Sequence, residues 1–187
     1  MKKILEKLRQ SMTTERGVTA AEELNASHQV LFVCMGNICR SPTAEGVLKK
    51  VLEQHAPELS VFVDSAGTHA YHIGEPPDPR ARRAAEQRGI DLSDQRARRV
   101  SEEDFARFDL VLAMDELNYT MLCELSPPEH QRRVRLFLDF APQLGRTDVP
   151  DPYYGGANGF EYVLDLVEEA SLGLVKHLRD SAGSSAS

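Results

Sequence analysis

A cysteine and an arginine with five residues between them, Cys34 and Arg40, are the residues of this chain best suited to chemistry. The apolar run at residues 30–33 predicts a buried strand before them, and Pro42 suits the first turn of a helix after them. A strand, a tight loop and a helix N-terminus together gather backbone N–H groups around an anion. These N–H groups and a guanidinium stabilise a thiolate, and they can also hold the equatorial oxygens of a phosphoryl group.

Taken alone, Cys34 is better explained as a small buried thiol at the end of a core strand, where free cysteines usually lie. Its combination with Gly36, Arg40, Ser41 and Pro42 in one short loop favours the functional interpretation. The sequence therefore predicts that Cys34 attacks phosphorus in line with the leaving oxygen. Arg40 and the loop N–H groups would neutralise the charge on phosphorus that a metal ion neutralises in kinases.

A second group must protonate the leaving oxygen of a phosphate ester, because a thiolate nucleophile cannot do so. Asp151 is the candidate, since it precedes Pro152, has Tyr153 and Tyr154 close behind it, and lies in a segment too polar for a core. An ordinary Asp-Pro turn is the alternative interpretation. Beside the Cys34 loop, Asp151 is the candidate for the general acid and then for the base that activates water.

The segment V-C-M-G-N-I-C-R-S-P-T-A-E, which begins at Val33, resembles the signature loop of the low-molecular-weight protein tyrosine phosphatases. The resemblance continues at residues 64–68 (DSAGT), 114–118 (MDELN) and 151–155 (DPYYG), and it covers about residues 29–179. It implies hydrolysis of phosphotyrosine monoesters in tyrosine-phosphorylated proteins through a phosphocysteine intermediate, with no cofactor and no metal. It also supports the assignment of Asp151 as the general acid and base.

Specific roles in the loop follow from this resemblance. The residues it assigns to the phosphate-binding loop are Met35, Gly36, Asn37, Ile38, Cys39 and Ser41. Asn37 is expected to hold the loop in shape, and Ser41 to donate a hydrogen bond to the thiolate. Family members that carry paired cysteines are reversibly protected by a disulfide between them, so the resemblance implies that Cys39 is the redox partner of Cys34. The alternative is that Cys39 only packs as a small hydrophobic residue.

The resemblance also assigns residues outside the loop. Ser65 is expected to support the loop through hydrogen bonds, although a turn serine after a strand explains it nearly as well. Tyr71, Tyr153 and Tyr154 are expected to form an aromatic rim for the substrate. Many family members carry tryptophan at the position of Tyr71, and a surface tyrosine is the alternative there. Histidine is frequent in the family where Gln95 stands, so the support of the loop is expected to differ in detail.

The hydrophobic pattern predicts four strands that alternate with helices. Strands are predicted at residues 30–33, 60–63, 108–113 and within 134–140, and helices at 43–54, 79–88, from 114–118 onward, and at 159–178. This order predicts a three-layer α/β fold, a four-stranded parallel sheet with helices on both faces, as in flavodoxin-like and low-molecular-weight phosphatase folds. Ligands of such sheets lie at the carboxyl ends of the strands, where Cys34 stands.

The composition, 41% hydrophobic and 27% charged over 187 residues, fits a single domain. We expect an N-terminal extension at residues 1–28, either a short helix or disordered, a phosphatase domain at 29–180, and a disordered tail at 181–187. No apolar run approaches the length of a membrane span, so no stable membrane association is expected. Three cysteines, two of them in one loop, fit a reducing compartment, and we expect a cytoplasmic monomer.

Arginines are concentrated between residues 80 and 99, although the formal net charge of the chain is −7. An exposed helix face explains most of them, and a basic rim that steers acidic phosphopeptides is the alternative. Nucleic-acid binding is disfavoured by the net charge and by the lack of interleaved aromatic residues. A zinc site is disfavoured because Cys34 and Cys39 have the wrong spacing.

Three other functions compete with phosphotyrosine hydrolysis. An arsenate reductase of the same fold needs a further cysteine pair downstream, and Cys123 is the one further cysteine. A protein-arginine phosphatase typically has threonine in place of Ile38 and a less aromatic acid loop than Tyr153 and Tyr154 provide. A non-catalytic phosphoprotein-binding module could dispense with the nucleophile or the acid, and both are present here.

Overall fold

The computed structural model of the chain describes residues 26–184. Its sheet has four parallel strands in the order β2-β1-β3-β4. The strands are β1 (His28–Cys34), β2 (Val61–Gly67), β3 (Leu110–Ala113) and β4 (Val134–Leu136). The α-helices are α1 (Arg40–His55), α2 (Pro79–Gln87), α3 (Glu102–Arg107), α4 (Glu116–Leu125) and α5 (Ala157–Ser184). Short 3-10 helices at Pro128–Arg133, Phe137–Phe140 and Pro142–Leu144 complete the elements.

The central strand β1 is covered on both faces, which makes the molecule three layers deep. Its side chains alternate between two clusters of buried residues. Val30 and Phe32 pack in the cluster that contains the buried faces of α1, α2 and α5. Leu31 and Val33 pack in the cluster that contains buried residues of α3 and α4. The predicted three-layer α/β fold with a parallel sheet is confirmed.

Two glycines stand where the fold requires one, the first at a helix end and the second at a helix packing contact. Gly89, just after α2, has φ of +69°, a left-handed conformation that glycine adopts without strain, as predicted for the end of this helix. Gly173 of α5 lies so close to the 3-10 helix at Phe137–Phe140 that a Cβ would stand 1.8 Å from the carbonyl oxygen of Phe140. The absence of a side chain there allows α5 to pack against this part of the core.

The structure corrects the sequence prediction at β2. The strand extends to Gly67 instead of ending near Val63, so Ser65 lies within it, paired with Phe32 of β1. The prediction ended the strand before its polar residues, because buried polar side chains are costly without partners. Here Asp64 accepts hydrogen bonds from Arg98 at 2.9 and 3.0 Å, and Ser65 bonds to other side chains within the fold.

Other elements also differ from the prediction. Helix α3 was not predicted, although the sequence from Ser101 to Asp104 has a capping pattern, and the Asp104 carboxylate accepts from Ser101 N–H at 2.8 Å. Strand β4 is three residues long and passes directly into a 3-10 helix. Helix α5 continues through residues 181–184, predicted to be disordered, and Ser181 Oγ donates to His177 O at 2.9 Å.

The predicted N-terminal extension lies largely outside the described residues. Of the extension at residues 1–28, the structure describes 26–28, where β1 begins at His28. Residues 185–187 of the tail are likewise outside the described range. Among residues 26–184, no helix combines the length and the apolar character that crossing a membrane requires.

Candidate active site

The loop between β1 and α1 curves around the space just beyond the carboxyl end of β1. Asn37 has φ of +55°, a left-handed conformation that asparagine tolerates better than most residues. Two backbone hydrogen bonds attach the loop to the chain after β2: Thr68 N–H to Cys34 O at 2.8 Å and His69 N–H to Met35 O at 3.0 Å. Gly67 lies directly beneath, since a Cβ there would stand 2.8 Å from Met35 O.

The thiol of Cys34 is enclosed by this loop and is 2% exposed. Its Sγ accepts a hydrogen bond from the backbone N–H of Asn37 at 3.3 Å and lies 3.1 Å from Ser41 Oγ. It also lies at the N-terminal end of α1, where the helix dipole favours negative charge. The sulfur is therefore surrounded by groups that stabilise a thiolate.

Arg40, the first residue of α1, is buried beside Cys34 and is held by two carboxylates. Its Nη1 donates to Asp115 Oδ2 at 2.5 Å and to Val149 O at 3.2 Å, and its Nη2 donates to Asp151 Oδ2 at 3.1 Å. Burial disfavours the charged guanidinium, but the negative charges of Cys34, Asp115 and Asp151 outweigh this effect and raise the Arg40 pKa. Arg40 is therefore a permanent cation at the base of the site.

Behind the loop, a chain of buried polar side chains holds Asn37 in place. Asn37 Nδ2 donates to Ser41 Oγ at 2.9 Å and to Ser65 Oγ at 3.0 Å. Ser65 in turn donates to Glu45 Oε2 at 2.6 Å, and Lys49 Nζ donates to Glu45 Oε1 at 2.6 Å. Since each member of a buried network needs its partners, loss of one hydrogen bond here would be transmitted to the loop.

The other side of Asn37 is held by Arg98, whose backbone N–H donates to Asn37 Oδ1 at 2.9 Å. The Arg98 side chain is anchored by Asp64 and by Asp104, the latter at 2.7 Å. Gln95, which stands where the family often has histidine, instead donates from Nε2 to Pro42 O at 3.1 Å. Within the described residues its Oε1 is buried without a hydrogen-bond partner.

Asp151 faces the loop from the opposite wall of the site. Its Oδ1 accepts from Tyr153 N–H at 3.0 Å, its Oδ2 bonds to Arg40, and its side chain is 42% exposed. The carboxylate therefore lies between the buried cation and the solvent.

These groups surround a cavity of about 230 Å³. It is lined by Cys34, Met35, Gly36, Ile38, Cys39, Arg40, Tyr71, His72, Asp151, Tyr153 and Tyr154. Asn37, Ser41 and Ser65 are not part of this lining and lie behind the loop, in the hydrogen-bond network. Tyr71 stacks on His69 with ring centroids 5.2 Å apart, and Tyr154 is 94% exposed at the mouth.

Sequence reasoning assigned no role to one residue of the site, Asp115, and gave His72 weaker support than the neighbouring Tyr71. Asp115 was quoted in a family motif but given no role, and it forms the ion pair with Arg40. Its position directly after β3, at the same edge of the sheet as Cys34, was a usable signal. His72 lines the cavity, and its Nδ1 lies 2.7 Å from Glu75 Oε2. Of the arginines between residues 80 and 99, Arg88 is paired with acids of α5 and Arg98 with Asp64 and Asp104, so these two are not free members of a basic rim.

Comparisons with known proteins identify the family of this chain. The family described as low molecular weight phosphotyrosine protein phosphatase matches residues 29–183. The low molecular weight protein-tyrosine-phosphatase of Streptomyces coelicolor is 43% identical over 157 residues, covering 82% of this chain and 95% of that protein. The human low molecular weight phosphotyrosine protein phosphatase is 41% identical over 143 residues, covering 74% and 87%.

Among solved structures, the protein tyrosine phosphatase of Entamoeba histolytica superposes with a TM-score of 0.79 at 41% identity. The superposition covers 83% of this chain and 99% of that one. A match over most of the chain at this identity shows the family as well as the fold. The chain belongs to the low molecular weight phosphotyrosine protein phosphatase family.

Proposed function

We propose that the protein hydrolyses phosphotyrosine monoesters in protein substrates through a phosphocysteine intermediate. One observation carries this proposal: a buried thiol, a buried guanidinium and a carboxylate on the facing wall converge on one cavity of about 230 Å³. The thiol suits nucleophilic attack, the guanidinium suits the phosphoryl oxygens, and the carboxylate suits proton transfer to the leaving group.

In the first step, the Cys34 thiolate forms a bond to phosphorus as the bond to the tyrosine oxygen breaks. Asp151 gives its proton to that oxygen, and tyrosine leaves in neutral form. In the second step, Asp151 takes a proton from water as the water oxygen attacks phosphorus and the Cys34 thiolate leaves. Arg40 and the loop N–H groups hold the equatorial oxygens in both steps, while Ser41 stabilises the departing thiolate from 3.1 Å.

The aromatic lining supports phosphotyrosine as the substrate. Tyr71, Tyr153 and Tyr154 line the mouth of the cavity, where an aryl ring would stand above the phosphate, and Ile38 adds an apolar wall. These features are less suited to the flexible polar side chain of phosphoarginine. Arsenate reduction receives no support, because Cys123 is on α4 and is not among the residues that line the cavity.

Matched peptides that differ only in phosphotyrosine, phosphoserine or phosphoarginine test the substrate class, with initial rates measured in the presence of EDTA. We expect turnover of the phosphotyrosine peptide alone. Cys34→Ser is expected to abolish turnover and to keep phosphate binding, since the serine hydroxyl does not ionise there while Arg40 and the amides remain. Comparable turnover of phosphoarginine, or activity of Cys34→Ser near the wild-type level, would refute the proposal.

We further propose that Cys39 protects Cys34 from irreversible oxidation. Peroxide would convert the Cys34 thiolate to a sulfenic acid, and the Cys39 thiol would condense with it to a disulfide, with loss of water. Both cysteines line the cavity. Burial, together with the negative charges of Asp78 and Cys34, raises the pKa of Cys39, so Cys39 stays a thiol and does not compete as the first target of peroxide.

The cellular setting remains a proposal as well. The cysteine content and the proposed reversible oxidation of Cys34 support a cytoplasmic location, where thiols are kept reduced. We propose that the protein acts there as a monomer on tyrosine-phosphorylated proteins. Size-exclusion chromatography of the full chain, with fractions assayed for phosphatase activity, tests the monomer.

A further inference from the structure

The segment that carries Asp151 is largely exposed. Asp151 bonds directly to a phosphate-binding group, and bound substrate would compete with Asp151 for that group. The side chain of Asp151 is 42% exposed, and Tyr154 is 94% exposed. The link is the hydrogen bond from Arg40 Nη2 to Asp151 Oδ2 at 3.1 Å. A phosphoryl group that takes donors from Arg40 weakens this bond at the stage when Asp151 must act. A contact that does not involve Arg40 would keep the residues after Asp151 in place in the substrate complex.

Arg80 at the start of α2 supplies such a contact. Its Nη1 donates to the carbonyl oxygen of Tyr153 at 3.0 Å. Its guanidinium also lies over the rings of Tyr153 and Phe160, 5.4 and 4.9 Å from their centroids. A planar cation over an aromatic face is attracted to it, so Arg80 holds both the backbone and the ring of Tyr153.

The other end of this link is attached to the phosphate-binding loop through Asp78. The Asp78 carboxylate accepts from Arg80 Nε at 3.0 Å, from Nη2 at 2.8 Å and from the backbone N–H of Arg80 at 2.8 Å. The backbone N–H of Asp78 donates to Ile38 O at 2.8 Å. Since Tyr153 N–H donates to Asp151 Oδ1, an unbroken series of hydrogen bonds joins Ile38 to the carboxylate.

We propose that Arg80 is a positioning residue for proton transfer, holding residues 151–154 at the distance from the phosphate-binding loop at which Asp151 reaches the leaving oxygen. The proposal rests on the function proposed above, in which Asp151 is the general acid. Arg80 is not among the described residues that line the cavity, so it acts through Tyr153 and not on the phosphate.

Replacing Arg80 should therefore impair the chemistry of the leaving group and leave the binding of phosphate unchanged. The test compares Arg80→Gln with the wild type on aryl phosphates whose leaving groups range from phenol to dinitrophenol. The quantity to measure is kcat/KM, because it includes the step that forms the phosphocysteine. We expect a loss of about 10²-fold on phenyl phosphate, the order expected for a small misplacement of a catalytic group. Dinitrophenyl phosphate, whose leaving group departs without a proton, should lose much less, and inhibition by inorganic phosphate should not change.

Arg83→Gln is the matched control, since Arg83 is exposed on the same helix and lines a separate groove with Glu86 and Asp91. It should behave as wild type on every substrate. Arg80→Lys is a second variant that keeps a charge beside Asp78 but cannot reproduce the planar fork. It should show the same dependence on the leaving group. If Arg80→Gln does not fold, Arg80→Lys tests the positioning role of Arg80 by the same criteria.

A double-mutant cycle separates this proposal from the proposed function. If Arg80 acts through Asp151, Arg80→Gln should add little to the loss in the Asp151→Asn variant. A full additional loss there, or a loss that is equal for all leaving groups, would overturn the role of Arg80. If Asp151→Asn shows a leaving-group dependence and neither Arg80 variant does, this proposal alone fails. If Asp151→Asn shows none, the general acid is assigned wrongly, and this proposal falls with it.

Discussion

Replacing Asp115 by asparagine removes the charge that neutralises Arg40 but keeps a residue that can cap the N-terminus of α4. Asparagine keeps an oxygen that can accept from Asn118 N–H, as Asp115 Oδ1 does at 2.7 Å, and it is a good N-cap residue. The variant loses the negative charge 2.5 Å from Arg40 Nη1, at a guanidinium whose side chain is 3% exposed. Because the amide oxygen is used by the cap, the amide –NH₂ group would face Arg40 Nη1, so the variant loses the charge and its hydrogen bond and places a donor against a donor.

The expected cost follows from what Arg40 retains. Removing one partner from a fully buried ion pair destabilises a protein by about 3–5 kcal/mol. Arg40 keeps Asp151 and the carbonyl of Val149, and Asp115 is itself 20% exposed, so the loss of one charged hydrogen bond, about 1.5–3 kcal/mol, is the better estimate. At about 2–4 °C per kcal/mol for a chain of this size, the melting temperature should fall by roughly 3–12 °C.

Thermal unfolding with and without inorganic phosphate measures this effect. We expect phosphate to raise the melting temperature of Asp115→Asn more than that of the wild type, because the anion supplies the negative charge that Arg40 has lost. Asp148→Asn is the control, since Asp148 Oδ1 accepts from Glu116 N–H at 3.1 Å in the first turn of α4 and does not bond to Arg40. Equal melting temperatures, or equal responses to phosphate, would refute the role given to Asp115.

Three other substitutions test separate parts of the structure. Gly67→Ala should cost about 1–3 kcal/mol by overpacking and weaken phosphate inhibition, because its Cβ would stand 2.8 Å from Met35 O. Burial and the charge of Arg135 lower the pKa of His177, so the unfolded chain binds a proton more readily, and stability is lost as the pH falls below about 6.5. His177→Gln should therefore lose less stability than wild type on acidification, as measured by urea unfolding at two pH values. After a brief peroxide pulse, dithiothreitol should restore less activity to Cys39→Ser than to wild type, and equal recovery would leave Cys39 a packing residue.

The sequence-based prediction was most accurate where the chemically important residues lie among clear secondary-structure signals. The run from β1 through the loop to α1 combines a strand pattern, turn residues and a helix start within a few positions, and the structure has these elements there. Ser65 was harder, because a polar side chain in a buried strand is recognisable only when its partners Asn37 and Glu45 are known. Asp115 lies 75 residues from Arg40, so its place near the carboxyl end of β3 was the one signal for the contact, and no local residue pattern encodes it.

Local hydrogen bonding explains the remaining differences. Helix α3 is six residues long and too short for a clear hydrophobic period, although its capping residues were visible. Asn37 Oδ1 accepts its hydrogen bond from a backbone group, the N–H of Arg98. A backbone donor cannot be identified from residue type, so the sequence could not show how Asn37 is held.

The positions of the tyrosines determine what the intrinsic fluorescence of this protein can measure. The chain has no tryptophan and five tyrosines, so tyrosine alone gives its intrinsic emission. All five are at least 37% exposed, and three of them line the cavity. Because three of them stand at the mouth of the cavity, their emission should respond to what occupies that mouth. Ultraviolet fluorescence is thus suited to titrating ligands.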